Sequence, residues 1–325
     1  MIHTMTEIKE LQILNKIKSK DLISFRNHKP ETIFNEGQID FLDNLSSVIM
    51  KDNRISQFPD VATFSFFCRK ANLIRIRDKF GYKSKTRLGR GLAFHVAPSN
   101  VPLNFAYSLI AGILSGNSNI VRLPSKEYEQ LNIIIDALNN LIRDSIYKKF
   151  VKKILLVRYS RNNLNATDYF SKICDIRIIW GGNQTIEQIR QHKLSPYSVE
   201  LTFPDRYSIC LIDADNFILE KNKEKIVKNF FNDTYLFDQN ACTSPHLIIW
   251  LGSSKSVKES QRLFWASLHK IVKMNYSILP VQSIDKLTTF YNHAIKSQDI
   301  SLQDRNDNLL WRVKLNSLET EIENF

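Results

Sequence analysis

Two short stretches, far apart in the chain, carry residue types suited to acyl chemistry. One is Asp238-Gln239-Asn240-Ala241-Cys242-Thr243-Ser244-Pro245, where Cys242 sits among small and polar residues and outside any apolar run. The other is Ala97-Pro98-Ser99-Asn100-Val101-Pro102, in which two prolines stiffen a loop that presents the amide of Asn100. A thiolate can attack a carbonyl carbon, and a fixed amide N–H can stabilise the oxyanion that forms. The opposing reading is that a lone cysteine is a small buried hydrophobe. Cys68, Cys174 and Cys210 lie in or beside apolar segments and take that reading, whereas Cys242 is placed to react. Glu200, in Ser198-Val-Glu-Leu201, flanks a predicted strand end and reads either as a general base or acid or as a surface carboxylate. His246, four residues after the cysteine, is a rival base or a polar residue on the strand that follows.

A second set of residues suits an anionic cofactor. Gly181-Gly182-Asn183-Gln184-Thr185 stands where a strand turns into a helix. Free amides and the positive end of a helix dipole there favour a pyrophosphate, though a Gly-Gly pair can equally be a plain turn and the full GxGxxG signature is absent. Arg122 closes a strand before Pro124-Ser125-Lys126, and both cations read either as phosphate or ribose contacts or as solvated strand ends. The four cysteines form no CxxC pair and the seven histidines no ligand spacing, so neither a disulfide framework nor a metal is expected.

The elements that must position these residues follow from periodicity. Short apolar runs at 91–96, 119–123, 154–157 and 176–180 read as strands, separated by helical patterns at 104–114 and 127–146. This alternation predicts a doubly wound parallel sheet, which binds ligands at the carboxyl ends of its strands. The last third repeats the pattern with strands at 208–212 and 246–251 and helices at 221–232 and 263–274. Three parts are expected: a mainly helical segment over 1–88, a dinucleotide-binding domain over 89–204 and a catalytic α/β domain over 205–325. The first 20 residues read as an amphipathic helix with no signal-peptide core, and no apolar run is long enough to span a bilayer, so a cytoplasmic protein is expected.

The net charge is +12, with lysines at helical spacing. It reads as solvated helix faces, or as attraction for a nucleotide, a coenzyme A moiety or an acidic carrier protein. No basic stripe with interleaved aromatics supports nucleic-acid binding.

The blocks GLAFHVAPSNVPLNFAYSLIAGILSGNSNIVRLPSK, IIWGGNQTI, FPDRYSICLIDAD and FNDTYLFDQNACTSPH resemble the LuxC-type acyl-CoA reductases, a branch of the aldehyde dehydrogenase superfamily. The resemblance implies an aldehyde dehydrogenase-like α/β fold with a cofactor domain and a catalytic domain shortened at its C-terminus. It further implies that Cys242 carries the acyl group as a thioester, that Asn100 with the Cys242 backbone N–H holds the oxyanion, and that Glu200 matches the superfamily's deacylating glutamate. The glycine pair that usually follows that glutamate is missing from VELTFPD. Gly181, Gly182 and Thr185 match the pyrophosphate segment, and Arg122, Lys126 and Ser99 the segments lining the rest of the cofactor. The implied cofactor is NADPH, with NADH possible. The implied partners are a long-chain acyl-CoA, an acyl-carrier protein or an acyl-transferring subunit, in a homo- or hetero-oligomer. Two alternatives accompany this reading: a catalytically incomplete acyl-binding or scaffolding subunit of a reductase complex, and an aldehyde dehydrogenase working in the oxidative direction.

Overall fold

The computed structural model describes residues 8, 10–17, 25–80, 87–239, 241–296, 300–302 and 307–315. Contacts divide the chain into two units, Met1–Asp205 and Arg206–Phe325. The first unit contains both the 1–88 segment and the 89–204 domain.

Six strands form its sheet: β1 (Gln12–Ile13), β2 (Leu92–Val96), β3 (Ser118–Arg122), β4 (Ile154–Arg158), β5 (Ile176–Trp180) and β6 (Val199–Phe203), in the order β1-β4-β3-β2-β5-β6. β2 to β6 are parallel, and β1 pairs antiparallel with β4. Alternation along the strands splits the apolar side chains between two cores. Val121 and Leu156 face the helices Glu36–Met50, Asn104–Leu114 and Glu129–Leu141, while Phe94, Ile120 and Leu155 face Leu164–Ile173 and Asn183–Arg190. Because both faces are covered, these strands read as near-continuous apolar runs. From β2 the chain winds through β3 to β4 on one side, then crosses to β5 on the other. That reversal makes the carboxyl ends of β2 and β5 the place where a crevice opens.

Several expectations are corrected. Within the first 20 residues, Gln12–Ile13 is a strand rather than part of a helix, and residues 1–7, 9 and 18–20 lie outside the described residues. The edge of β4 captures that backbone, and the buried Asn15 locks it, donating to the Ile154 carbonyl at 2.8 Å and accepting from the Leu156 N–H at 2.9 Å. The helix expected over 127–146 runs Glu129–Leu141, followed by the short Lys148–Val151. The helix expected over 221–232 runs Lys223–Thr234, capped by the Asn222 side chain, and a short helix not foreseen, Ala214–Leu219, precedes it, capped by Asp213.

The second unit pairs β7 (Ser208–Asp213) with β8 (Pro245–Leu251) in parallel. One face packs Ile212, Ile248 and Trp250 against Phe217, Val227, Phe264 and Leu268 of the surrounding helices, among them Ser254–Asn275, which is longer than the expected 263–274. Ile209 and Leu211 on the opposite face are exposed. A further helix, Pro280–Lys296, and a small antiparallel pair, Ile300–Leu302 with Val313–Leu315, complete the unit.

Candidate active site

Cys242 lies in a turn between the helix Lys223–Thr234 and β8, and is the one exposed cysteine of the four. Burial pushes the thiol of Cys174 up to about 12 and raises that of Cys68 further still. Cys210 is half-buried on the core side of β7, and its thiol is also raised by burial. These three stay protonated and packed at neutral pH. The Cys242 loop is pinned at several points. Ser208 Oγ donates to the Cys242 carbonyl at 2.7 Å, and the buried Ser244 donates through Oγ to the Asp233 carbonyl at 2.6 Å. Tyr276 Oη donates to the Asp238 carboxylate at 2.5 Å. Asp238 and Gln239 both have positive φ, 50° and 59°, a left-handed pair of non-glycine residues that such anchoring must hold in place. The loop is therefore preorganised, and its cysteine is an exposed residue.

In the first unit, the candidates other than Glu200 lie at the carboxyl edge of the sheet. Ser99 and Asn100 are exposed in the loop that follows β2. Tyr128 ties this loop to the one after β3: its hydroxyl donates to the Ser99 carbonyl at 2.6 Å, and the Lys126 ammonium lies 4.9 Å from its ring centroid. The Arg122 guanidinium sits 4.6 Å from the ring centroid of the buried Tyr159. Burial lowers the Arg122 pKa, yet the group stays charged at any physiological pH. At the end of β5, Gly182 caps the helix Asn183–Arg190 with no side-chain hydrogen bond. A Cβ on Gly181 would lie 3.1 Å from Thr185 Cγ2, so glycine keeps that turn tight. Two features were not foreseen. The Gly181 N–H is used in the sheet, donating to the Phe203 carbonyl at 3.3 Å. A Cβ on Gly182 would meet Asp205 Oδ2 at 2.4 Å, so a carboxylate already stands at that helix start. The donor chemistry that fits a dinucleotide is the cation-bearing strand end of Arg122 and Lys126, with no carboxylate between them, while Asp205 offsets the anion preference of the helix start at Gly182.

Glu200 departs from the expected acid–base position. It is the second residue of β6, near the amino end of that strand and away from the carboxyl edge. Its two oxygens are held by guanidinium groups, with Arg177 Nε at 2.9 Å and Arg190 Nε at 2.7 Å. Burial raises its pKa, but the hydrogen bonds and charges of Arg190 and Arg177 outweigh this and hold the carboxyl below the usual range. Arg177, 2% exposed, also donates to Ser171 Oγ and the His192 carbonyl. The position is a clamp between β5, β6 and their helices. His246 is exposed and rests against the ring of Tyr207, with centroids 5.6 Å apart.

Sequence reading missed a buried polar chain beside the crevice. Trp180 Nε1 donates to Ser108 Oγ at 3.0 Å; Ser108 Oγ lies 2.8 Å from His95 Nδ1; His95 Nε2 lies 3.1 Å from Asn119 Oδ1; and Asn119 Nδ2 donates to the Asn117 carbonyl at 2.9 Å. One assignment of protons satisfies every link, with His95 neutral and carrying its proton on Nε2. Burial lowers the His95 pKa to about 4, against a smaller opposing effect from Asn119. A strand written LAFHV gives no sign of this beyond one polar letter in an apolar run.

Among the described residues no group of three or more His, Cys, Asp or Glu side chains could hold a metal, and no helix is long and apolar enough to cross a membrane. The acyl-CoA reductase (LuxC) family matches residues 70–302. The long-chain acyl-protein thioester reductase of Aliivibrio fischeri is 25% identical over 194 residues, 59% of this chain and 37% of that protein, so the chain spans well under half the length of that relative. Aldehyde dehydrogenase 21 from Physcomitrella patens shares the fold at 12% identity, with a TM-score of 0.56 over 83% of this chain and 61% of that one. The NADP-dependent glyceraldehyde-3-phosphate dehydrogenase of Bacillus halodurans, solved with NADP, does so at 13% identity, with a TM-score of 0.53 over 85% and 63%. The fold is that of the aldehyde dehydrogenases, and with a match over most of its length the chain belongs to the acyl-CoA reductase (LuxC) family.

Proposed function

We propose that this chain takes part in reducing a long-chain acyl thioester to the aldehyde, with Cys242 as the acyl carrier and NADPH as the reductant. The observation that carries this reading is an exposed cysteine on a pinned loop in a LuxC-family chain, while the other three cysteines are buried or half-buried. The Cys242 thiolate attacks the acyl carbon, the new C–S bond forms, the bond from that carbon to the donor's sulfur breaks, and the donor leaves as its thiolate, which takes a proton from water. The Cys242 backbone N–H stabilises the oxyanion of each tetrahedral stage, by about 3 kcal/mol for one such donor. A reduced nicotinamide supplies the hydride that the acyl carbon receives. The C–S bond then breaks, returning the thiolate and releasing the aldehyde. Arg122 and Lys126 bind the phosphorylated ribose, Ser99 lines the adjoining loop, and Gly181, Gly182 and Thr185 form the turn that faces the pyrophosphate. The engaged, low-pKa Glu200 supports reduction over the oxidative direction, because a carboxylate clamped by two guanidinium groups is a poor base for deacylation by water.

The donor is a long-chain acyl group on coenzyme A or on a protein, in keeping with the name of the Aliivibrio relative and with a net charge of +12 that attracts acidic carriers. The exposed apolar side chains of β7 favour a second reading, a subunit that binds acyl donor and a partner without completing the reduction. The two separate on one assay: incubation with a long-chain acyl thioester and NADPH oxidises NADPH and yields aldehyde in the first case, whereas the second gives neither.

A further inference from the structure

Trp180 and Phe203 close β5 and β6 at the carboxyl edge, stacked with centroids 3.9 Å apart and planes 7° apart, and both are only partly buried. They stand as register partners on adjacent parallel strands. The indole is fixed from behind by Ser108, itself bonded to His95. Four residues before Ser108 on the same helix, and so one turn nearer the carboxyl edge on the same face, is Asn104. Its amide oxygen is buried and has no hydrogen-bond partner. A buried acceptor without a donor is costly, and a ligand donor would satisfy it. A rigid aromatic plane, with an orphaned acceptor one helical turn from the serine that anchors it, suits a flat ring bearing an N–H group.

We propose that Trp180, backed by Phe203, contacts the carboxamide-bearing ring of the cofactor, that Asn104 accepts from the carboxamide N–H, and that His95 positions the indole through Ser108. This rests on the nicotinamide cofactor proposed above. In a doubly wound sheet the two halves of a dinucleotide straddle the switch point. Arg122 and Lys126 on the β3 side fit the phosphorylated ribose, which leaves the β5–β6 side to the nicotinamide.

The test is a binding titration on the full chain, following energy transfer from tryptophan to reduced nicotinamide, with 2′,5′-ADP as a ligand that lacks the nicotinamide ring. Trp180→Leu weakens NADPH on the order of 10-fold, the scale of one aromatic stacking contact, and leaves 2′,5′-ADP unchanged. Trp180→Phe keeps NADPH affinity within about 3-fold but loses most of the energy transfer. Asn104→Leu removes a preference of about 10-fold for NADPH over the reduced 3-acetylpyridine analogue, whose ring has no amide N–H. Ser108→Ala, a milder change than altering His95, weakens NADPH about 3-fold with no effect on 2′,5′-ADP. Unchanged NADPH binding in Trp180→Leu, or equal loss of NADPH and 2′,5′-ADP, overturns the assignment alone. Wild-type protein that binds neither NADPH nor NADH overturns the cofactor reading along with it.

Discussion

At the scale of single residues, chemistry and structure divide the candidates cleanly. The exposure of Cys242 was legible because a cysteine among polar and small residues has no packing reason to be there. Glu200 was misleading because a sequence does not reveal that Arg177, 23 residues away, stands opposite it across two parallel strands. Glu200→Gln is expected to leave acyl transfer to Cys242 intact while destabilising the fold by about 2 kcal/mol, measured by urea unfolding beside a labelling assay. The sign with pH follows from the depressed carboxyl: its contribution is fully present above its unfolded pKa, near the ordinary 4.5, and is lost as pH falls through the lower folded value. His95 acts in a different window. Its folded pKa is about 4 against the ordinary 6.5, so the unfolded chain takes up a proton between these values that the folded chain refuses. Stability therefore declines as pH falls from 6.5 toward 4, by up to about 1.4 kcal/mol per pH unit. His95→Gln is expected to flatten that slope, read from unfolding midpoints between pH 7 and 4.

The elements were legible where burial makes the pattern strong. LAFHV, NIV, ILLV and IRIIW are strands covered on both faces, and each begins or ends within a residue or two of its expected place. What failed were elements specified by distant partners or by caps. The extended Gln12–Ile13 exists because β4 offers an edge, and the unforeseen short helix Ala214–Leu219 exists because the Asp213 side chain caps its start. Close packing between helix and sheet gives a sharp test at Gly112 of the helix Asn104–Leu114. A Cβ there would lie 1.9 Å from Asn119 Oδ1 and 3.1 Å from His95 Nε2. Gly112→Ala is accordingly expected to destabilise the protein by about 1–3 kcal/mol, even though alanine is the better helix former by about 1 kcal/mol. Thermal unfolding decides between the two effects: a raised Tm would mean the polar chain yields to the methyl group.

At the scale of the whole molecule, charge is distributed very unevenly. Residues 1–205 hold 30 Lys and Arg against 19 Asp and Glu, while residues 206–325 hold 15 against 14, so eleven of the twelve net positive charges belong to the unit with the six-stranded sheet. Attraction of an acidic carrier or of coenzyme A is thus expected to act through the first unit and to weaken with salt, since the screening length falls from about 10 Å at 0.1 M to about 3 Å at 1 M. The apparent KM for the acyl donor should rise severalfold between those salt concentrations with kcat little changed; a flat KM would assign the basic balance to solvation alone. All of this depends on one sulfur atom accepting an acyl group. Intact-mass spectrometry after incubation with a long-chain acyl thioester measures that directly. The account predicts a single hydroxylamine-sensitive acyl adduct on wild-type protein, mapped to Cys242 and absent from Cys242→Ala, whereas equal acylation of the variant, or an adduct mapped to Cys210, would contradict it.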